Sequence, residues 1–390
     1  MSPLANSYVK PSQLNQMEPF YPLHVYVCEC CFLVQLEEFE SPEHIFSNYA
    51  YFSSYSDTWL QHARAYTDMI VTRCGLNVES QVVEIGSNDG YLLQYFVQKG
   101  IPVCGVEPAS NVAEVAIKKG IPTRVKFFGE ETARELVAEG RQADLLLGNN
   151  VLAHVPDLNY FVRGMKILLK PEGVITVEFP HLMRLMAENQ FDTIYHEHFS
   201  YFSLITVEKV FTKQGLTLFD VEELPTHGGS LRIYARHAED TSKPIDQRVT
   251  DLIAKEEAAG FTRLEHYLSF AEKVKETKRK LLTFLIAAKA EGKSIVGYGA
   301  AAKGNTLLNF CGVRSDMIDY TVDRSPHKQG HFLPGTHIPI YHPDKIKETK
   351  PDYLLILPWN LKDEIMSQMS AIRTWGGQFV VPIPEVRVYP

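Results

Sequence analysis

The sequence predicts an α/β protein with two Rossmann-like sheets. Two strand–turn–helix units and the pattern around them predict it. The apolar run Val82-Val83-Glu84-Ile85 stops at Gly86, and a helix-like run, Tyr91 to Phe96, follows the turn. A second unit opens at Lys293, where an apolar run leads into Gly297-Tyr-Gly299-Ala-Ala-Ala302 and then a helical stretch. Short strand-like runs alternate with helical ones elsewhere, the pattern of a mainly parallel sheet. At 390 residues the chain has room for two or three domains. The expected divisions are an N-terminal segment over 1–73, a first α/β domain over 74–245, a helical bridge over 246–290 and a second α/β domain over 291–390.

Composition narrows the class. The chain is 45% hydrophobic and 22% charged, ordinary for a globular protein. A formal net charge of −8 argues against a nucleic-acid surface. No apolar run is long enough to span a membrane, and the polar, proline-bearing start does not read as a signal peptide. Six cysteines do not make a disulfide scaffold, so a cytoplasmic protein is expected.

Along the chain, alternation around Val25 and Val27 predicts a short strand. Cys28 and Cys31 follow with C-x-x-C spacing, half of a tetrahedral zinc site, and the other two ligands are missing from the spacing. Residues 46–73 are aromatic and helical, including Tyr49, Tyr51, Phe52, Tyr55 and Trp59. Such aromatics pack a core or cover a bound cation, and Tyr49 is a candidate for the second role.

At the first glycine turn, Glu84 ends the strand, Gly86 and Gly90 let the backbone approach a ligand, and Asn88 and Asp89 lie between. A phosphate cradle wants G-x-x-x-x-G-K-[ST], and this turn has no lysine. A dinucleotide turn wants G-x-G-x-x-G, and Asn88 breaks that spacing. Acidic residues repel a pyrophosphate and suit a cation. S-adenosylmethionine, with a sulfonium, an ammonium and no phosphate, meets this requirement. Glu107 ends the next strand, roughly twenty residues on, where a carboxylate takes ribose hydroxyls. The buried run Leu145 to Leu147 ends in Asn149 and Asn150, with His154 just beyond, at the carboxyl end of a strand where ligands bind. Turn and capping chemistry also suits Asn149. A helix over Tyr160 to Leu169, a turn at Pro171–Gly173 and a strand over Val174 to Phe179 follow.

The densest chemical cluster is Tyr195-His196-Glu197-His198, flanked by aromatics. Histidine titrates near neutrality, tyrosine donates to a developing oxyanion, and glutamate orients an imidazole, so proton transfer suits the set better than metal binding. In His227-Gly-Gly-Ser230-Leu-Arg232, Ser230 and Arg232 are candidate substrate contacts; Gly228-Gly229 equally makes a plain tight turn. Residues 246–290 read as one or two long amphipathic helices with a structural role. The second glycine turn carries a lysine, which suits phosphate. Gly299, Lys303, Asn305, Asp323 and Lys328 are its candidate substrate contacts.

Taken together, Pro3-Leu-Ala-Asn6, Phe20-Tyr-Pro-Leu23, Glu84-Ile-Gly-Ser-Asn-Asp-Gly90, Gly148-Asn-Asn-Val-Leu-Ala-His154, Tyr195-His-Glu-His-Phe-Ser-Tyr-Phe202, His227-Gly-Gly-Ser230 and Gly297-Tyr-Gly-Ala-Ala-Ala-Lys-Gly-Asn305 make the chain resemble the S-adenosylmethionine-dependent nucleotide-sugar C-methyltransferases of deoxysugar biosynthesis. The resemblance covers nearly the whole length. It implies a zinc-module-like N-terminal segment, a class I methyltransferase core and a C-terminal α/β domain that helps hold the nucleotide sugar. It implies catalysis by Tyr195, Glu197 and His198. Where the family shows a first cysteine pair, this chain has none, so Cys28 and Cys31 supply half a zinc site.

The implied substrate is a thymidine- or guanosine-diphosphate-linked 4-keto-6-deoxy sugar, methylated at carbon 3. A saturated carbon is no nucleophile, but a neighbouring ketone acidifies its C–H, and a base then makes an enolate. The base is assigned to His198, with Glu197 orienting it, Tyr195 near the enolate oxygen and His196 as the fallback base. Strand alternation would turn His198 away from Tyr195 and Glu197, so the assignment requires a bent segment there. The alternatives are a nicotinamide-dependent nucleotide-sugar oxidoreductase using the 297–323 turn and a non-catalytic nucleotide-sugar-binding protein.

Overall fold

The computed structural model describes residues 1–46, 49 and 51–390; Ser47, Asn48 and Ala50, within the expected aromatic stretch, lie outside the described residues. The chain folds into two compact units. Residues 26–183 and 198–264 form a core unit, and residues 1–25, 184–197 and 265–390 form a C-terminal unit.

The strands up to residue 237 are β1 (Val25–Val27), β2 (Val34–Leu36), β3 (Val82–Ile85), β4 (Val103–Val106), β5 (Thr123–Arg124), β6 (Ala143–Asn149), β7 (Leu169–Pro180), β8 (Ser200–Tyr201), β9 (Leu216–Leu224) and β10 (Ser230–His237). Seven of them make one sheet in the order β5-β4-β3-β6-β7-β10-β9, and β1, β2 and β8 make a small second sheet. The first five strands of the large sheet are parallel, and the β9–β10 hairpin adds an antiparallel edge. Every residue of β3 and β4 is buried, because helices cover both faces of the parallel part. Strand order reverses at β3, which has β4 on one side and β6 on the other, and that reversal opens a crevice at their carboxyl ends.

Helix Leu158–Leu168 buries Leu158, Phe161, Val162, Met165 and Leu168, an apolar stripe at helical spacing. The helix starts two residues earlier than the sequence suggests because the Asp157 carboxylate accepts the Tyr160 N–H at 2.9 Å. β7 begins at Leu169, opposite Ala143, and so takes in the Pro171–Gly173 segment expected as a turn. The bridge of one or two long helices is instead three pieces, Gln247–Ala259, Leu264–Leu268 and Phe270–Ala290. Gly260, at φ +102°, ends the first with a left-handed cap. The first piece belongs to the core unit and the third to the C-terminal unit.

The C-terminal unit holds β11 (Ile295–Tyr298), β12 (Thr321–Val322), β13 (Ile340–Tyr341), β14 (Tyr353–Ile356), β15 (Gln378–Val381) and β16 (Arg387–Tyr389). Their order is β13-β12-β11-β14-β15-β16, parallel except for the last. Here too the order reverses at the first strand of the sheet, β11. Gly299, at φ +90°, takes the turn after β11, where an added Cβ would lie 2.5 Å from Pro358. Within this unit the N-terminal segment bridges to the sheet domain, with Val9 paired to Phe332.

Candidate active site

In the core unit, the crevice at the ends of β3 and β6 gathers the cofactor residues expected from the sequence. Gly90, at φ +77°, could not carry a Cβ, which would stand 2.3 Å from Ile121. Asn88 is also left-handed, at φ +49°. Its N–H donates to Glu107 Oε2 at 2.9 Å and its side-chain oxygen accepts the Ser53 N–H at 2.8 Å. The other Glu107 oxygen accepts the Ala109 N–H at 2.8 Å. Burial pushes the Glu107 carboxyl above its ordinary range, and the two amides offset part of the rise.

Glu84 is completely buried, and neither of its oxygens has a hydrogen-bond partner. Burial drives this carboxyl well above its usual range; the nearby Tyr91 hydroxyl offsets the rise, and Glu107 and Asp89 add to it. Asn149 is 9% exposed, with neither amide atom bonded, and the Asn150 side-chain oxygen is likewise buried and unbonded. Buried polar groups left open at a strand end call for a ligand. Lys119 lies 3.7 Å from the Asp89 carboxylate, but among the described residues no lysine or arginine pairs with Glu84 or Glu107, and two such carboxylates suit a cationic ligand. S-adenosylmethionine fits: Glu84 and Asn149 suit its amino group and Glu107 its ribose hydroxyls.

Two further groups frame this crevice. His154 ends the short helical turn Leu152–His154, with its ring 4.8 Å from that of His198 and 5.2 Å from that of Phe46. The Tyr49 backbone is clasped by Asn111, whose amide accepts the Tyr49 N–H at 3.1 Å and donates to its carbonyl at 2.8 Å. Sequence reasoning did not single out Asn111; an asparagine in the first turn of a helix carries no pattern of its own.

Ser230 and Arg232 are turned inward. The Ser230 hydroxyl donates to the Thr226 carbonyl at 2.9 Å. Arg232, 5% exposed, donates to Glu178 at 2.6 and 2.8 Å and to Glu222 at 2.8 Å. His62 Nε2 lies 2.9 and 3.1 Å from the two Glu178 oxygens. Burial alone would raise Glu178, but His62 and Arg232 outweigh it and hold the carboxyl below its ordinary value. The His62 ring stacks on Trp59 at 4.9 Å, and Trp59 stacks on Tyr91 of the glycine turn at 5.8 Å. Trp59 belongs to the aromatic stretch expected to pack a core or cover a cation, but His62 and Glu178 escaped sequence reasoning because 116 positions separate them.

The Tyr195-His-Glu-His198 block is bent: a short helical turn, Phe191–Thr193, precedes it, and a turn at 196–197 leads to β8. The loop that the His198 assignment requires is present. The boundary of the units falls inside the block, with Tyr195, His196 and Glu197 in the C-terminal unit and His198 in the core unit. The His196 ring nitrogen bonds the Pro22 carbonyl at 2.9 Å, and burial lowers its pKa. Glu197, 2% exposed, accepts the Asn6 amide at 2.7 Å.

The second glycine turn is already bonded within its own unit. The Ala300 N–H donates to Asp323 at 2.8 Å, and the Ala300 carbonyl accepts the Tyr8 hydroxyl at 2.5 Å and the Lys328 ammonium at 2.9 Å. Asp323 also accepts the Ser325 N–H at 2.8 Å. Asn305 donates to the Ala5 carbonyl at 2.6 Å. Lys303 donates to Asn360 at 2.8 Å over the Trp359 ring. Burial lowers Lys303 to about 8 and raises neighbouring Asp192 to about 7.

Cys28 and Cys31 lie beside the small sheet. Backbone N–H groups of Cys31 and Cys30 lower the Cys28 thiol. No group of three or more His, Cys, Asp or Glu side chains among the described residues is placed to hold a metal, so Cys28 and Cys31 make half of a four-ligand zinc site and do not fit the ion by themselves.

Residues 59–221 match the family described as a methyltransferase domain, residues 225–384 a C-methyltransferase C-terminal domain and residues 1–46 a putative zinc binding domain. The protein is thus a methyltransferase that uses S-adenosylmethionine on a Rossmann-like core. It is 37% identical over 387 residues, 99% of this chain and 92% of the other, to the C-methyltransferase NovU of Streptomyces niveus. The chain belongs to the S-adenosylmethionine-dependent C-methyltransferase family. A ubiquinone biosynthesis O-methyltransferase of Bartonella tribocorum is 30% identical over 98 residues, 25% of this chain and 40% of its own. Among solved structures, the PH0226 protein of Pyrococcus horikoshii OT3 covers 51% of this chain and 99% of its own at 15% identity, with a TM-score of 0.40. Among the described residues no helix is long and apolar enough to cross a membrane.

Proposed function

We propose that this C-methyltransferase acts on carbon 3 of a nucleotide-linked 4-keto-6-deoxy sugar, through an enolate whose proton His198 removes. The observation that carries the proposal is the bend at 194–199, which sets the His198 ring against His154, beside the strand end that holds the cofactor residues. S-adenosylmethionine supplies an electrophilic methyl group to the carbanion. His198 takes the C-3 proton, Glu197 orients the imidazole, and Tyr195 donates to the enolate oxygen at carbon 4. A base held in place contributes about 10²- to 10⁴-fold, and alignment of the reacting carbon with the methyl group adds more. The nucleotide is thymidine or guanosine diphosphate. Six free cysteines support a reducing cytoplasm as the place of work.

The test is where the methyl group goes. Supplied with S-adenosylmethionine carrying a carbon-13 methyl group and with the thymidine and guanosine diphosphate 4-keto-6-deoxy sugars, the enzyme should yield a product whose labelled methyl is bonded to carbon 3 by NMR. A labelled methyl on oxygen, or no transfer to any of these sugars, would contradict the proposal.

A further inference from the structure

Glu197 is held by a residue far away in the chain. Asn6 Nδ2 donates to Glu197 Oε1 at 2.7 Å, across 191 positions. A carboxylate only accepts, so the amide must present its nitrogen to Glu197 and its oxygen to the other side. On that side stands the Tyr8 hydroxyl, 3.1 Å from Asn6 Oδ1 and 2.5 Å from the Ala300 carbonyl, which share its single proton. Tyr8 is anchored in turn. The Lys328 ammonium lies 5.3 Å from its ring centre and donates to the same carbonyl, and Asp323 lies 3.6 Å from that ammonium. Burial raises the Tyr8 hydroxyl to about 12, so it stays a donor throughout the neutral range. All of these residues belong to the C-terminal unit. The result is a relay of fixed orientation that runs from the second glycine turn, through Tyr8 and Asn6, to the carboxylate next to His198.

From this geometry we propose that Asn6 is a positioning residue for methyl transfer, its amide fixing the carboxylate of Glu197. The inference rests on the role given to Glu197 above. Asn6 touches neither reacting carbon nor cofactor in this assignment; it acts by holding one oxygen of Glu197. The relay also occupies both backbone groups of Ala300, so part of the second glycine turn serves this carboxylate.

The decisive variant is Asn6→Asp, of nearly equal size. It sets a second carboxylate 2.7 Å from the first, and two like charges at that distance resist joint ionisation. The charged and titratable groups around the pair, Tyr8, Lys328, Asp323 and the flanking residues Tyr195, His196 and His198, are unchanged. The acid limb of the kcat profile should move up by about one pH unit or more, with turnover partly restored above it and the KM for S-adenosylmethionine unchanged. Asn6→Ala should lower kcat by about tenfold or more without moving the limb, and Tyr8→Phe should cause a smaller loss of the same kind. If Asn6→Asp does not fold, the Asn6→Ala and Tyr8→Phe pair decides: full kcat in both overturns the inference. An Asn6→Asp profile that coincides with wild type, while Glu197→Gln is inactive, also overturns it and leaves the role of Glu197 standing. Full turnover in Glu197→Gln removes that role and this inference together.

Discussion

Glu84 is the residue on which the candidate cofactor site turns. It is completely buried and its two oxygens have no hydrogen bond. Isolation of that kind favours the protonated acid. A bound ammonium favours the carboxylate, so cofactor binding at Glu84 should release a proton at pH below its free-state pKa. The sign follows: affinity for S-adenosylhomocysteine rises with pH until the solution passes the free-state pKa of Glu84, then levels off. Calorimetry in two buffers of different ionisation enthalpy should show proton release on binding. Glu84→Gln should bind about 10- to 100-fold more weakly and lose the pH dependence. Unchanged affinity in the variant, with a flat profile in wild type, would remove Glu84 from the cofactor site. The motif and spacing made Glu84, Gly86, Gly90 and Glu107 legible in the sequence, because strand, turn and acid lie within one short stretch. Asn6 and His62 were not, since each gains its meaning from a partner more than a hundred positions away.

At the level of elements, the helix Gln247–Ala259 does more than connect. Glu256 on this helix, fully buried, accepts the Leu204 and Ile205 N–H groups at 2.7 and 2.9 Å, two of the open donors at the start of helix Leu204–Lys213. It also bonds His181 at 2.7 Å. One carboxylate thus ties together a helix start, a strand end and its own helix. Glu256→Gln keeps the shape and should cost about 1–3 kcal/mol. Glu256→Leu strands three donors and should cost about 3–5 kcal/mol. Urea unfolding followed by far-ultraviolet circular dichroism would check both, and a loss below about 0.5 kcal/mol in the leucine variant would show the cap to be dispensable. The amphipathic pattern of 246–290 announced helices with a structural role. It did not announce the break at Gly260, because helical periodicity resumes on both sides of a left-handed cap.

Across the whole molecule, the same device is used twice with opposite chemistry. Each α/β sheet reverses strand order at its first strand and carries a glycine turn there. In the core unit that turn is lined by acids and unbonded polar atoms; in the C-terminal unit it is bonded to Tyr8, Asp323 and Lys328. Both turns were visible in the sequence as glycines between an apolar run and a helix. The internal bonds of the second were not, since local pattern shows which groups a turn carries and not which distant side chains reach them. The division of the Tyr195–His198 block, with Glu197 in one unit and His198 in the other, was likewise invisible to periodicity, although the need for a bend was not.

In the proposed reaction His198 is the base that makes carbon 3 nucleophilic. The direct measurement is hydrogen exchange at carbon 3 of the sugar in deuterium oxide, with S-adenosylhomocysteine in place of the methyl donor so that the enolate can only be reprotonated. Wild-type enzyme should exchange the C-3 proton of the proposed 4-keto sugar substrate, and His198→Asn should not, although it still binds S-adenosylhomocysteine. Exchange at the wild-type rate in His198→Asn would contradict the account and pass the role of base to another residue.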